Sequence, residues 1–462
     1  MKNLWLYTEE RPRADVIEKI VNKFAGDKKL KISISTIKII PLIKEGLFTF
    51  VYKVQGIECG NVKEILIKTV SGNSSFVDYI IFHQENEPEI SDKPIYLIEE
   101  TKTDDTESRN TGVYQRCSKF IYADFFYPKV PKIMLYNLKI PQKVKPTLTY
   151  IFGTKMLLTL GVEIMGKELD NKVYKKFKSI DELIAEKNSM PETKNGISVR
   201  ITKTKNTIKI TAKLEKAGRL THDPNIGMTS IISANLRKLD WKGSIIITKH
   251  GLPNQQSVGF KNKFNYIASI LKISLDKFKI PKIKLPVDYW KTETNQEKLG
   301  TIFTSILCEE FGNGIAIYEN HGGCERGYFI DINKKEFDYI VIPKYTNRKK
   351  YKAGNKSYII NIPDLVIYDK KRKLVIDGEG KTSSNKKQGI KELKNLTFFE
   401  KNYIQKLYPN LKIVRSLILY GGVDKKVSGK ETGLLLNSKG EIILGKNAPE
   451  IFKESLKKLL SS

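Results

Sequence analysis

Two apolar, strand-like segments of this chain each end in a glutamate, one further residue and a lysine. The first covers residues 94–98 and leads into Glu99-Glu100-Thr101-Lys102, and the second covers residues 373–377 and leads into Gly378-Glu379-Gly380-Lys381. Segments with helical spacing of apolar residues follow at 111–126 and 390–407. A strand that leads into a helix is an α/β unit. We therefore predict an α/β (α+β) fold in which mixed sheets are flanked by helices.

An aspartate lies in the strand-like segment that precedes each of these two strands. Asp78 lies within the apolar stretch 76–82, and Asp364 follows Pro363 within the stretch 357–367. A hairpin between successive strands would bring each aspartate beside the glutamate and lysine of the next strand. The chain therefore offers two candidate clusters of two carboxylates and one lysine.

Residues two apart on a strand project to the same side of a sheet. This period predicts that Glu100 lies beside Lys102 and that Glu379 lies beside Lys381. Paired carboxylates suit Mg²⁺, a hard cation that prefers carboxylate, water and phosphate oxygens. A nearby lysine would steer or deprotonate a bound water and neutralise charge on phosphorus. The pattern thus favours phosphodiester hydrolysis, although the same spacing also arises among solvated surface charges of a lysine-rich chain.

The charge of the chain is strongly positive and unevenly distributed. Lys and Arg number 81 against 51 Asp and Glu, which gives a formal charge of +30. Residues 201–300 carry 19 basic and 7 acidic side chains and residues 351–462 carry 23 and 11, whereas residues 1–150 carry 23 and 19. Such a surplus favours a polyanionic partner, with nucleic acid first.

Membrane association is not indicated by the sequence. We find no run of about 18 apolar residues that would span a bilayer, and the N-terminal residues do not resemble a secretory signal. We therefore predict a cytoplasmic protein with nucleic acid as its partner and no membrane partner.

The basic middle of the chain contains side chains suited to phosphate contacts and base reading. Residues 197–214 alternate as a two-stranded ribbon with a basic face, and a polar loop and a helix at 229–239 follow. Lysines there would hold phosphates, while Arg, Asn, Gln and His side chains would reach base edges. Each is also a common solvated surface residue. The candidates are Lys203, Lys205, Arg219, His222, Asn225, Arg237 and Gln255.

The two carboxylate clusters resemble the active-site motif of the PD-(D/E)XK nuclease superfamily. Ile362-Pro363-Asp364 with Glu379-Gly380-Lys381 resembles the proline-containing form of that motif. Phe76-Val77-Asp78 with Glu99-Glu100-Thr101-Lys102, followed by Tyr114-Gln115-Arg116, resembles the motif of EcoRI-like restriction endonucleases without the proline. The missing proline leaves open whether the first acid is Asp78 or a neighbour such as Asp92.

The resemblance implies a Mg²⁺-dependent, sequence-specific DNA endonuclease. Gln115 and Arg116 would contact DNA, and Glu297 would match an additional acid that many family members carry. The implied catalytic residues are Asp78, Glu100 and Lys102 in one site and Asp364, Glu379 and Lys381 in the other, and the implied metal ligands are Asp78, Glu100, Asp364, Glu379 and Glu297.

Two nuclease motifs in one chain also resemble type IIS restriction enzymes with one active site for each DNA strand. We predict an EcoRI-like module over residues 1–165, a basic recognition region over 166–290 and a second nuclease module over 291–462. Such a chain would work as a monomer or a dimer, and a cognate DNA methyltransferase would be encoded nearby. Two alternatives stay open at this point: a structure-specific repair or recombination nuclease, and a DNA-binding protein without catalytic activity.

Overall fold

The contacts of the computed structural model group the chain into two compact units. The terminal unit combines Met1–Thr69 with Thr292–Ser462, and the central unit is Val70–Lys291. The structure describes residues 1–72, 76–101, 112–137, 146–191, 199–212, 224–248, 265–276, 283–292, 297–319, 326–331, 336–342, 345–347, 349–350, 353–355, 358–423, 425–427 and 429–462.

Runs of strands are separated by helices along the chain, which makes the protein a mixed α/β structure. In chain order the strands are β1 (Lys2–Thr8), β2 (Ile32–Lys44), β3 (Leu47–Cys59), β4 (Val62–Thr69), β5 (Ser71–Gly72), β6 (Tyr79–Gln84), β7 (Tyr96–Thr101), β8 (Lys132–Tyr136), β9 (Val162–Met165), β10 (Val199–Lys203), β11 (Thr207–Ala212), β12 (Ser244–Thr248), β13 (Ile273–Leu275), β14 (Trp290–Lys291), β15 (Gly314–Glu319), β16 (Arg326–Asp331), β17 (Glu336–Val341), β18 (Leu365–Asp369), β19 (Leu374–Thr382), β20 (Lys412–Tyr420), β21 (Thr432–Leu436) and β22 (Ile442–Leu444).

Two of the helices are capped at their start by local polar groups. Thr147 accepts a hydrogen bond from the Tyr150 amide and Ser179 accepts one from the Glu182 amide, which satisfies free N–H groups of the first turn. The helices are α1 (Ala14–Lys28), α2 (Gly112–Phe126), α3 (Leu148–Thr159), α4 (Ile180–Ser189), α5 (Pro224–Lys238), α6 (Glu297–Gly312), α7 (Lys386–Lys394) and α8 (Glu450–Ser461). Within the described ranges, no helix has both the length and the apolar character needed to cross a membrane.

One sheet of the terminal unit has the order β15-β18-β19-β20-β21-β22. Strand β19 runs antiparallel to β18 and parallel to β20, and β20 runs parallel to β21. The parallel step from β19 to β20 is bridged by α7 and by a helical segment over residues 397–407 that contains a π-helical turn. Leu393 of α7 is buried among leucines of β20 and β21, which fixes the helix over this part of the sheet.

Strands of the central unit pair in the orders β6-β7-β8-β9, β10-β11-β12-β13 and β14-β5. Helix α2 bridges the parallel step from β7 to β8. It is held by aromatic packing, because the Tyr289 ring lies 6.2 Å from the Tyr122 ring and 5.4 Å from the Phe126 ring. The Tyr289 hydroxyl accepts a hydrogen bond of 3.0 Å from the Val77 amide. One buried tyrosine therefore fixes both α2 and the chain just before β6.

Three of the described sheets repeat one pairing pattern, in which an antiparallel pair is followed by two parallel pairs. The pattern occurs in β6-β7-β8-β9, in β10-β11-β12-β13 and in β18-β19-β20-β21. The sequence analysis did not identify this repeat, because the repeated feature is the pairing of strands and not the order of residue types.

The predicted α/β class with mixed sheets and flanking helices is confirmed. The ribbon predicted over 197–214 is confirmed as the antiparallel pair β10 and β11. The strand predicted over 357–367 begins only at Leu365. Pro363 has no N–H group to donate to a neighbouring strand, which is consistent with regular pairing starting after it.

The predicted module boundaries can be placed on these elements. The boundary after residue 165 coincides with the end of β9, and the boundary after residue 290 lies one residue before the end of the central unit. By contacts, however, Met1–Thr69 belongs with the C-terminal part of the chain. Compactness does not report activity, so the division into two nuclease modules and a recognition region stays a prediction.

Candidate active sites

Asp364 and Glu379 lie beside each other at one end of the antiparallel pair β18 and β19. Leu365 is paired with Gly378, so the next residues outward along the two strands are Asp364 and Glu379. The Asp364 amide donates to the Gly378 carbonyl at 3.0 Å, and Oδ2 of Asp364 accepts from the Gly380 amide at 2.8 Å. These two bonds fix the aspartate against the strand that carries the glutamate.

Lys381 completes this cluster, as the period of two predicts. Its Nζ lies 2.6 Å from Oε1 of Glu379 and 3.9 Å from Oδ2 of Asp364. It also lies 3.0 Å from Oε2 of Glu392 on α7, a residue that the sequence analysis missed. Helix α7 comes this close because residue 389 is glycine, where an added Cβ would lie 2.8 Å from Cγ of Lys381. We call Asp364, Glu379, Lys381 and Glu392 the terminal-unit site.

The charges of the terminal-unit site are strongly perturbed by burial. Glu379 is 4% exposed, and burial together with the nearby Asp364 carboxylate raises its pKa to about 9. Burial alone would lower the pKa of Lys381, but the facing Glu379 and Asp364 carboxylates outweigh it and raise the pKa. Lys381 is therefore an ammonium group at neutral pH, suited to donating hydrogen bonds and unsuited to accepting a proton.

The central unit contains a second cluster with the same backbone geometry. Tyr79 of β6 is paired with Ile98 of β7, so the next residues outward are Asp78 and Glu99. Oδ2 of Asp78 accepts from the Glu100 amide at 2.8 Å, the same bond that Asp364 accepts from the residue after its glutamate. In this register Asp78 corresponds to Asp364 and Glu99 corresponds to Glu379.

Glu99 is buried against two basic side chains of α2. It is 2% exposed, and its Oε2 lies 2.7 Å from Nζ of Lys119, which is also 3.2 Å from Oδ1 of Asp78. Nε of Arg116 lies 3.7 Å from Oε1 of Glu99. Burial and the Asp78 carboxylate raise the pKa of Glu99 to about 8, against the pull of Lys119 and Arg116. We call Asp78, Glu99, Lys119 and Arg116 the central-unit site.

In the structure, Glu99 lies beside Asp78 in place of the predicted Glu100. Sequence spacing paired Asp78 with Glu100, but the Glu100 carboxylate accepts a hydrogen bond of 3.0 Å from the Asn137 side chain. Lys102 lies outside the described residues. Asp92, the alternative first acid, accepts hydrogen bonds from the Gln84 side chain and the Glu89 amide in a turn. The sequence therefore indicated Glu99 only as the acid next to the predicted Glu100.

Arg237 has a structural role that sequence spacing did not indicate. Four of its N–H groups donate to the main-chain carbonyls of residues 271, 241, 243 and 272 at 2.8 to 3.1 Å. A guanidinium has five N–H donors. Because four of them are engaged here, little of the fork needed for reading a guanine edge is left.

The other predicted DNA contacts are distributed over the central unit. Arg116 belongs to the central-unit site, Lys203 lies 2.7 Å from Oδ1 of Asp181, and Lys205 is exposed in the turn between β10 and β11. The side chains of Gln115 in α2 and Asn225 in α5 are outside the described part of the structure, as are Arg219, His222 and Gln255 entirely. The side chain of Glu297 in α6, predicted as a metal ligand, is also outside it.

The donor chemistry of both sites fits Mg²⁺. Within the described residues, no group of three or more His, Cys, Asp and Glu side chains forms a ready-made metal cage. Mg²⁺ is usually bound through one or two carboxylates, with water and substrate phosphate as the remaining ligands. Each site supplies such a pair, Asp364 with Glu379 in one and Asp78 with Glu99 in the other. In each site the contact between the lysine and the carboxylates would have to open to let a cation bind.

Comparisons of the chain with family models, with curated proteins and with solved structures gave no match. The interpretation of the two sites therefore depends on their own geometry and chemistry.

Proposed function

We propose that this protein is a Mg²⁺-dependent endonuclease that hydrolyses double-stranded DNA at specific sequences, with one active site in each compact unit. The observation that carries the proposal is the repetition of one geometry. In both units an aspartate and a buried glutamate lie side by side on paired strands. The aspartate accepts a hydrogen bond from the amide of the residue after the glutamate, and a lysine Nζ lies within 2.7 Å of the glutamate. Solvated surface charges would not be buried in this way twice.

The residues of each site are suited to in-line hydrolysis of a phosphodiester. Asp364 with Glu379 would hold Mg²⁺, which stabilises charge building on phosphorus and activates a bound water. The Lys381 ammonium would donate a hydrogen bond to the attacking water or to a phosphate oxygen. The water oxygen forms a bond to phosphorus, the bond to the 3′ oxygen breaks, and the water proton passes to solvent while the 3′ oxygen takes one up. The products carry a 5′ phosphate and a 3′ hydroxyl.

The charge of the chain supports DNA as the substrate. The formal charge is +30, and residues 201–300 alone carry 19 basic against 7 acidic side chains. Phosphate contacts by these residues would hold the duplex and make binding strongly dependent on salt. Sequence specificity, a type IIS arrangement and a cognate methyltransferase encoded nearby follow from the resemblance to restriction enzymes and form part of this proposal.

Incubation of the full chain with bacterial genomic DNA, with Mg²⁺ or with EDTA, tests the proposal. We expect discrete fragments only with Mg²⁺, and sequencing of the fragment ends should give one recognition sequence and a fixed cut position. The double variant Asp78→Asn/Asp364→Asn should not cut. Asp240→Asn is the matched control, because Asp240 is exposed and has a positive φ that asparagine also adopts readily.

Three results would contradict the proposal in different ways. Retardation of DNA in a gel without any Mg²⁺-dependent cutting would leave a non-catalytic DNA-binding protein. Cutting restricted to flaps or junctions would indicate a structure-specific nuclease. Cutting by the double variant would show that neither carboxylate pair performs the reaction.

A further inference from the structure

The lysine of the terminal-unit site has no counterpart on the equivalent strand of the central unit. Lys381 stands two residues after Glu379, and the register of β6 and β7 makes Thr101 the residue two after Glu99. Thr101 is 2% exposed and carries a hydroxyl group, which cannot supply an ammonium. Lys102, which sequence spacing indicated, is three residues after Glu99 and lies outside the described residues.

Helix α2 delivers an ammonium group to the equivalent place. Nζ of Lys119 lies 2.7 Å from Glu99 and 3.2 Å from Asp78, while Nζ of Lys381 lies 2.6 Å from Glu379 and 3.9 Å from Asp364. Each lysine thus bridges the aspartate and the glutamate of its own site, although Lys381 is carried by a strand and Lys119 by the following helix. Tyr289 packs against Tyr122 of α2 and accepts a hydrogen bond from the Val77 amide just before β6, which holds this helix close to Asp78.

We propose that Lys119 is the catalytic lysine of the central-unit site, and that Lys102 takes no part in the reaction. This assignment rests on the proposed nuclease function and deepens it. In the reaction, the Lys119 ammonium donates to the attacking water or to an oxygen of the scissile phosphate, as Lys381 does in the other unit. Asp78 and Glu99 are then the cation ligands, and Glu100 is not one.

The contacts of Lys119 fit this role. Its Nζ stands between the side-chain oxygens of Asp78 and Glu99. It would turn to the substrate once a cation occupied those two side chains.

The test uses a supercoiled plasmid that carries one recognition sequence and three variants of the full chain. Lys119→Met removes the ammonium but keeps most of the apolar stem, so α2 retains its packing. Lys102→Ala removes the alternative lysine. The double variant Lys119→Met/Thr101→Lys places an ammonium at the strand position that Lys381 occupies in the other unit. Thermal melting of each variant reports whether the fold is kept.

We expect Lys119→Met to yield nicked circles in which one defined strand is cut, with the rate on the other strand lower by about 10²-fold or more. DNA affinity in Ca²⁺ should stay within a few-fold of the wild-type value. Lys102→Ala should produce linear DNA at the wild-type rate. Partial recovery of linear product in the double variant would confirm that only the position of the ammonium matters.

The outcomes separate this assignment from the proposed function. If the wild-type chain cuts and Lys119→Met produces linear DNA at the wild-type rate, the assignment is wrong and the proposed function stands. The same conclusion follows if Lys102→Ala, and not Lys119→Met, yields nicked circles. If the wild-type chain does not cut any DNA with Mg²⁺, the proposed function is wrong and the assignment falls with it. Failure of the double variant alone, with nicking by Lys119→Met, leaves the assignment supported by the single variants.

Discussion

Nζ of Lys381 lies 2.6 Å from Oε1 of Glu379 in a buried contact near the end of β19. Oδ2 of Asp364, which directly precedes β18, lies 3.9 Å from the same Nζ. We expect Lys381→Met to produce nicked circles from supercoiled plasmid, because one of two active sites would lose its ammonium. The rate on the affected strand should fall by about 10²-fold or more. Strand-specific labelling should show that the DNA strand still cut by Lys381→Met is the strand that Lys119→Met no longer cuts.

Lys391→Ala is the matched control for this change. Lys391 is exposed on α7, close in sequence to Glu392 but on the solvent side of the helix. This variant should produce linear DNA normally. If Lys381→Met abolished cutting of both strands, the division of labour between the two sites would be wrong.

The register of β7 predicts opposite results for two neighbouring glutamates. Glu99→Gln should eliminate cutting of one strand, because Glu99 is the carboxylate beside Asp78 and Lys119. Glu100→Gln should cut both strands, since glutamine can still accept the hydrogen bond from Asn137. Single-turnover rates on duplexes labelled in either strand measure the difference. Loss of cutting in Glu100→Gln with normal cutting in Glu99→Gln would restore the sequence-based choice of Glu100.

Arg237 should matter for stability and not for reading DNA. Its guanidinium joins the end of α5 to main-chain carbonyls around residues 241–243 and 271–272. We expect Arg237→Ala to lower the free energy of unfolding by about 2 kcal/mol or more, because these carbonyls lose charged donors. Denaturant unfolding measures this loss, and the recognition sequence read from fragment ends should not change.

Lys238→Ala provides the comparison, because Lys238 is the exposed next residue of the same helix. It should leave the unfolding free energy nearly unchanged. An Arg237→Ala variant of normal stability that cuts at a relaxed set of sequences would show that Arg237 contacts bases after all.

The stability of the terminal unit should depend on pH through Glu310. Its Oε1 accepts a hydrogen bond of 3.1 Å from the Ile39 amide, and burial raises its pKa above the ordinary value. A carboxyl group whose pKa is raised on folding binds its proton more tightly in the folded state, so stability falls as pH rises from the unfolded pKa through the folded one. Glu310→Gln keeps an acceptor for Ile39 and removes this loss.

Melting temperatures measured from pH 4 to pH 7.5 test this expectation. The variant should match the wild type most closely at pH 4 and exceed it by a growing margin as pH rises. Glu45→Gln, at an exposed turn between β2 and β3, should show no such trend. A constant difference between Glu310→Gln and wild type across this range would show that the Glu310 charge is not the cause.

Local sequence patterns were sufficient for much of the fold. The α/β class and the ribbon formed by β10 and β11 could be predicted because strand alternation and helical spacing are properties of short segments. Three residues of the terminal-unit site could be predicted for the same reason, since Glu379 and Lys381 lie two apart on one strand, whereas Glu392 of α7 was missed. Asp364 joins them through a single antiparallel pairing whose register the flanking apolar residues indicate.

Glu99 and Lys119 of the central-unit site were missed because its assembly depends on strand pairing and helix packing between segments that are far apart in the chain. Glu99 and Glu100 are adjacent acids at the end of the same strand, and only the pairing of Tyr79 with Ile98 decides which one faces Asp78. A shift of one residue in register turns a side chain to the other face of a sheet. Spacing along the chain carries no information about that choice.

The sequence by itself determined that two strand ends carry paired carboxylates in a strongly basic α/β protein, because residue type and period are local. The tertiary structure alone decided that Glu99 is the buried acid, that Lys119 arrives from a helix and that Arg237 is engaged by main-chain carbonyls. Each of these depends on which elements pack together. Packing is set by contacts between residues far apart in the chain, such as Asp78 and Lys119, which are 41 positions apart, and Val77 and Tyr289, which are 212 apart. No spacing rule within one segment predicts such contacts.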